Sequence, residues 1–389
     1  MSKIELQSIL NVISKWGSKF RIRFSPKKTN VIHFRKQRTR KTCFNFFLGP
    51  QNIKLVDNYK YLGVLVNEFM DFKIMASSLA DAGGRALGAI VNKFHKLKGL
   101  GYYTFTKMYT TGVCPILDYA SEIWGLQRYD KIDTIQNRAL RTYLGVHNFA
   151  PNIGLNGDCG WTASIVRRKT NAVRFWNRLQ KMPTERLTKR VFIWDKCQIT
   201  MGWASEMRIL FNEIGLTDVY DNNQGVAVHN VWSLLHEKFC LNWSQELSKY
   251  PKLRTYILFK NTYSVEPYVI KILSRKRRSI MSKLRLGILP LEIETGRWQS
   301  LAVEERVCKL CNESKVEDEF HFVFECTFYD DYRNVFFDFV STLYNNFNNE
   351  TTNEKWKILF SENIVNHTGQ YLEQIYNARQ SHIYCSNII

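Results

Sequence analysis

The sequence predicts a mainly α protein with a small α+β N-terminal part, and three observations carry that expectation. Strand-like alternation is confined to the first seventy residues, helical periodicity takes over near Asp71, and a tight Cys/His group follows residue 307. The divisions expected are a mixed start over 1–70, helices over 71–150, a basic helical region over 151–300, a cysteine module over 301–330, and terminal helices over 331–389.

At the start, Ser2-x-x-Glu5 reads as a capping box, and Leu6, Ile9, Leu10, Ile13 and Trp16 form one apolar helical face. Gly17 is the expected end of that helix. Phe20, Ile22 and Phe24 alternate with Arg21 and Arg23, the period of a half-buried strand with a basic outer face. Ser25-Pro26 turns the chain into a second strand at Val31 to Phe34, and two further β-runs follow at Cys43 to Leu48 and Tyr59 to Val66. Gly49-Pro50 and Asp57-Asn58 supply turns. Helices are predicted near 72–97, 104–124, 129–144, 161–182, 186–195, 202–214, 226–243, 268–286 and 331–345. Pro and Gly mark the joints, including 151–160, and the Asn-rich stretch 345–353 reads as a linker before a short terminal helix.

Composition narrows the function. The 389 residues are 45% hydrophobic and 14% aromatic, which is enough to bury a core. Lys plus Arg total 55 against 35 acids, a net charge of +20 with a pI near 9.5. Such a surplus attracts polyanions, nucleic-acid phosphates first among them; an acidic membrane surface competes, but no run is apolar enough to span a bilayer. Lys3, Glu5 and Gln7 interrupt any signal-peptide core, so a reducing compartment, nucleus or cytoplasm, is expected. There, grouped cysteines point to metal rather than disulfide.

Nine cysteines are present, and six stand alone: Cys43, Cys114, Cys159, Cys197, Cys240 and Cys385. The other three belong to Cys308-x2-Cys311-x9-His321-x4-Cys326. Two thiolates on a knuckle, then His and Cys with four residues between them, are four soft or borderline ligands for tetrahedral Zn²⁺. With four protein ligands no position remains for a catalytic water, so the expected role is structural. Seven acids and one Lys between Asn312 and Asp331 make this module locally negative, suited to packing against the basic region rather than gripping phosphate.

Three basic clusters are candidate nucleic-acid contacts. Eleven Lys/Arg and no acid lie between Lys15 and Lys41, with Lys27, Lys28, Arg35, Lys36, Arg38, Arg40 and Lys41 singled out. Nine basic residues lie between Arg167 and Arg190, where Arg167, Arg174, Arg178 and Lys181 recur at helical spacing beside Arg168, while Val173, Trp176 and Leu179 face a core. Seven lie between Lys271 and Arg285, including Arg275, Lys276, Arg277 and Arg278. A solvated helix face is the plainer reading of any single cluster; three without compensating acids favour collective contact. Tyr329-Asp330-Asp331 is no two-metal site, because it opens a helical stretch rather than ending a strand; no Mg²⁺ site and no catalytic residue is expected.

Several collinear segments resemble the C-terminal part of LINE-type, jockey-like non-LTR retrotransposon reverse transcriptases. Trp16-x3-Phe20 and Phe24-Ser-Pro-Lys-Lys-Thr-Asn-Val-Ile-His-Phe34 resemble palm motif D and its flanks, and Tyr59-Lys-Tyr-Leu-Gly-Val64 resembles the strands after it. Ile116-Leu-Asp-Tyr-Ala-Ser-Glu-Ile-Trp-Gly125 and Ile135-Gln-Asn-Arg-Ala-Leu-Arg141 are similar to thumb helices, and Gly157-Asp-Cys-Gly-Trp161 to the linker. Arg285-Leu-Gly-Ile-Leu-Pro290, Ile293-Glu-Thr-Gly-Arg297 and the cysteine module are similar to the C-terminal segment, although x9 is slightly long for it. The resemblance implies a partial palm, a helical thumb and linker, and a small zinc module. It also implies RNA or DNA, as template or primer–template, for a partner, with the catalytic aspartates of motifs A and C falling upstream of the first residue. Lys28 falls where motif D carries a lysine, a role without consequence in their absence. The alternatives are a host-adopted RNA- or DNA-binding zinc protein, a helical interaction scaffold with incidental basicity, and a fragment left unstable by open strand edges over 20–66.

Overall fold

The computed structural model describes residues 2–25, 27–198 and 202–386, the side chains of 384–386 excepted. Pro26 of the expected turn and the Cys385 thiol therefore lie outside the described residues. The protein is mainly helical, 62% helix against 5% strand, with a small sheet near the N-terminus. It divides into two compact units, Met1–Ala82 and Gly83–Ile389. Among the described residues no helix is long and apolar enough to cross a membrane.

In the first unit, helix Lys3–Lys19 opens with the expected capping box: the Glu5 amide donates to Ser2 Oγ at 3.2 Å, and Ser2 N to Glu5 Oε2 at 2.7 Å. Gly17 does not end it. The helix continues to Lys19, and Gly17 is buried because Phe24 folds back on it; a Cβ there would lie 2.6 Å from Phe24 Cε2. The strand expected over Phe20 to Phe24 is replaced by a turn, with Arg21 at φ 58° and Ile22 N donating to Gly17 O at 2.8 Å. Only Leu6 and Leu10 of the predicted apolar face pack, joining Phe46, Leu48 and Ile53; Ile9, Ile13 and Trp16 are exposed.

Among the described residues five short strands form: β1 (Asn30–Val31), β2 (Phe46–Leu48), β3 (Gln51–Leu55), β4 (Asn58–Tyr61) and β5 (Val64–Asn67). One sheet has the order β1-β3-β2, β1 pairing parallel to β3 and β2 antiparallel to it. The run predicted over Tyr59 to Val66 is the hairpin β4-β5, reversed at Leu62-Gly63.

In the second unit, several long predicted helices are broken for identifiable reasons. The one expected over 104–124 is three: Tyr102–Gly112, Cys114–Leu117 and Ser121–Trp124. Pro115 has no amide to continue a helix, and Ala120 turns left-handed at φ 52°. The joint over 151–160 contains helix Asn152–Cys159, and 268–286 splits into Pro267–Lys271 and Arg275–Arg285, the latter capped by Ser274. The Asn-rich stretch is not a bare linker, since a short turn at Phe347–Asn349 buries Phe347 against Phe337, ring centroids 5.1 Å apart. The terminal helix is long, Val365–Ser386.

Helix Ser164–Gln180 organises one core. Val173, Trp176 and Leu179 are buried, and the Trp176 ring meets Phe192, Phe211 and Tyr220 at 5.2–5.4 Å. A second anchor is ionic. Arg285 donates to both Asp158 oxygens at 3.0 and 2.8 Å, both side chains at 0% exposure, while the rings of Phe259 and Phe360 cover the guanidinium at 4.5 and 4.6 Å. Just beyond helix Arg275–Arg285, Gly287 sits at φ 62°, where a Cβ would lie 1.9 Å from Lys252 O. Gly287→Ala is therefore expected to destabilise by at least about 1 kcal/mol, the cost of a left-handed non-glycine residue alone. An unchanged denaturation midpoint would contradict that expectation.

Candidate metal centre and basic surface

The Cys/His quartet comes together. Cys308, Cys311, His321 and Cys326 bring their ligand atoms within 4.8 Å of one another, an arrangement able to hold a metal ion. A hairpin supplies the first pair: Val307 bridges Val316 antiparallel, and Cys308 N donates to Lys315 O at 2.8 Å. A single π-helical turn, His321–Glu325, supplies the second pair; Cys326 N closes it onto His321 O at 2.8 Å. The turn is pinned at its start by Asp318, whose Oδ1 accepts from His321 N at 2.8 Å.

Two of the six edges match those of a tetrahedral ion. Bonds of about 2.3 Å to sulfur require tetrahedral edges of about 3.8 Å between sulfurs, and slightly less between sulfur and nitrogen. Cys308 Sγ and Cys326 Sγ are 3.8 Å apart, and Cys311 Sγ and His321 Nε2 are 3.4 Å apart. His321 Nδ1 turns the other way, 3.7 Å from Glu325 Oε2, so a carboxylate stands ready to orient the ring. Leu310 N donates to Cys308 Sγ at 3.5 Å. The hydrogen bond between the Cys308 and Cys326 thiols draws the Cys308 pKa down. The same bond, with burial, pushes Cys326 up.

Two of the acids around the quartet, Glu317 and Glu319, are buried. Glu317 accepts from Arg379 at 2.8 and 2.7 Å, and Glu319 accepts from Arg254 at 2.5 Å and from the Thr255 hydroxyl at 3.0 Å. Lys309 pairs with Glu292 at 3.0 Å. The module is thus tied ionically to helices on either side of it. Asp330 and Asp331 open helix Asp330–Leu343, where carboxylates favour the N-terminal dipole, and Asp330 pairs with Arg333 at 2.6 Å.

The basic clusters fare unequally. Lys27, Lys28, Lys36, Arg38 and Arg40 are exposed. Arg35 pairs with Glu68 at 2.9 Å and stacks over Phe69, and Lys41 pairs with Asp57. In the second cluster Arg167 is bound to Asp118 at 2.9 Å. Arg168 is 0% exposed, donating to Ser164 Oγ and Gln127 O, so phosphate contact is not open to it. Arg174 and Arg178 are exposed, as are Lys181 and Arg186, and among the described residues none of the four has an acidic partner. In the third cluster Arg275 is exposed, whereas Lys276 and Arg277 share Glu373 at 3.3 and 2.7 Å. Arg278 is likewise corrected to an interior residue: at 0% exposure it donates to Tyr143 O and Ile272 O and lies 4.1 Å from the Tyr143 ring centroid.

Sequence reasoning missed Glu325, although its place four residues after His321 on one turn was legible. It also missed Arg379, which nothing local marks. No protein-family model, no curated protein and no solved structure matches the chain.

Proposed function

We propose that this chain is a nucleic-acid-binding segment related to the C-terminal part of a LINE-type reverse transcriptase, with the Cys/His quartet holding one structural Zn²⁺. The observation that carries the binding role is the row Arg174, Arg178, Lys181 and Arg186, exposed and without acidic partners among the described residues on a chain of net charge +20. Arg174, Arg178 and Lys181 fall at i, i+4 and i+7, on one side of a helix whose other side is anchored by Trp176. Such a row meets a phosphate backbone without first breaking ion pairs, and releases counterions when it does. Four protein ligands of this chemistry suit Zn²⁺ in a closed, fold-holding role. The collinear motifs supply the family resemblance, and with it RNA or DNA, as template or primer–template, for a partner. Polymerisation is not assigned to this chain.

The Arg275 cluster supports the interaction-scaffold alternative locally, since Glu373 neutralises two of its charges and Arg278 is interior. Charge reversal separates the two readings. Arg174→Glu, Arg178→Glu and Lys181→Glu together are expected to abolish tight RNA binding. Neutralising the same three with Gln is expected to flatten the salt dependence by about 0.7 in log–log slope for each phosphate no longer held. Binding unaffected by both triple variants would remove the proposed interface.

A further inference from the structure

Three clefts meet at Arg174. One of about 490 Å³ is lined by Arg174, Arg178, Lys181, Met182 and Arg186. A second, of about 540 Å³, is lined by Arg174, Val228, His229 and Trp232. The third is lined by Glu122 together with Arg174 and Arg178.

What distinguishes the second cleft is an aromatic surface. Trp232 is 38% exposed, and its ring lies nearly parallel to that of His236, 10° apart with centroids 5.0 Å away. The indole is thus held by a neighbour one helical turn on. The helix carrying it, Val228–Leu247, is fixed beside the basic row by a reciprocal clamp: Asn177 Nδ2 donates to Val226 O at 2.7 Å, and Val226 N donates to Asn177 Oδ1 at 2.9 Å. Trp176 Nε1 adds a bond to Gln224 O at 2.9 Å. Guanidinium groups and an indole are therefore set side by side on two helices whose junction is hydrogen-bonded.

We propose that the first two clefts form a binding site for single-stranded nucleic acid. Arg174, Arg178 and Lys181 take the phosphates, and one unpaired base stacks on Trp232. The inference rests on the nucleic-acid reading above and adds strand selectivity to it. In a duplex each base is already stacked on its neighbours and presents no free face, whereas an unpaired base offers one to an exposed indole. Stacking is indifferent to base identity, so selectivity for strandedness comes with little selectivity for sequence.

The test compares Trp232→Ala and Trp232→Phe in the full zinc-loaded chain, binding a short labelled oligouridylate and an RNA duplex of equal length. Trp232→Ala is expected to weaken oligouridylate binding roughly tenfold, the scale of one base stack removed, with duplex affinity and salt slope unchanged. Trp232→Phe, which keeps a ring, is expected to recover most of that loss. The wild-type protein should also show fluorescence quenching on adding oligouridylate that is diminished in Trp232→Phe. If neither Trp232 variant alters oligouridylate binding while Arg174→Glu/Arg178→Glu abolishes it, the stacking site is overturned and the nucleic-acid reading stands. If the wild-type chain binds neither probe, both are overturned.

Discussion

Replacing Cys326 with Ala is expected to abolish stoichiometric metal uptake and unfold the segment 308–326. Regular structure within the segment is limited to one hairpin bridge and one π-helical turn. Structural Zn²⁺ in small modules contributes about 10–16 kcal/mol of apparent binding free energy, and that energy is folding energy. Removing one of four ligands opens the site, and the damage should spread. Glu317 and Glu319 would no longer be presented to Arg379 and Arg254, so helix Val365–Ser386 loses one of its ionic anchors and keeps that of Glu373. Metal content and amide exchange across 308–326 and 365–383 read both effects. Cys43→Ala, at an exposed cysteine of the other unit, should change neither. Native-like exchange in Cys326→Ala would show that the quartet is incidental to the fold.

The second large effect lies at Asp158. Asp158→Ala is expected to destabilise the second unit by about 3–5 kcal/mol, because it leaves the fully buried Arg285 with Glu266 alone, at 3.0 Å. Replacing the pair by Leu and Met should cost far less, since the enclosing rings of Phe259 and Phe360 suit apolar side chains. The pH dependence has a definite sign. Burial pushes the Asp158 carboxyl up, but Arg285, Lys260 and the Tyr268 hydroxyl more than offset this and hold it below its ordinary value. A depressed folded-state pKa means the stabilisation is complete above the unfolded value, near 4, and is lost as pH falls through the folded one. Acid unfolding of the wild type should thus have a component that Asp158→Asn lacks. Identical acid midpoints in the two proteins would contradict this account of the pair.

Much of the fold was legible where the signal is local. The Ser2/Glu5 capping box, helix Lys73–Lys96 and the Cys/His quartet need only residues a few positions apart. Strand β3 was missed because Gln51-Asn-Ile-Lys-Leu has no clear alternation and forms by pairing with β1 and β2. The buried arginines were missed for a related reason. A run such as Arg275-Lys-Arg-Arg278 looks uncompensated along the chain, yet its acid, Glu373, lies 96 residues from Arg277. Asp158 lies 127 residues from Arg285. Charge counts within a window therefore overstated the surface available to phosphate. Exposure remains for Lys27, Lys28, Lys36, Arg38 and Arg40 and, on helix Ser164–Gln180, for Arg174 and Arg178, where Trp176 and Leu179 fix which side faces outward. Trp232 could not be seen as part of that surface at all, because the Asn177–Val226 clamp that places it joins residues 49 apart.

The central claim is that this surface holds nucleic acid through its phosphates, and it is tested most directly by the affinity of the intact chain for single-stranded RNA at two salt concentrations. The row Arg174, Arg178, Lys181 and Arg186 predicts tight binding at low salt that falls steeply as salt rises, with a log–log slope of about −2 to −3 for three to four phosphate contacts. Absent binding, or binding indifferent to salt, would contradict it.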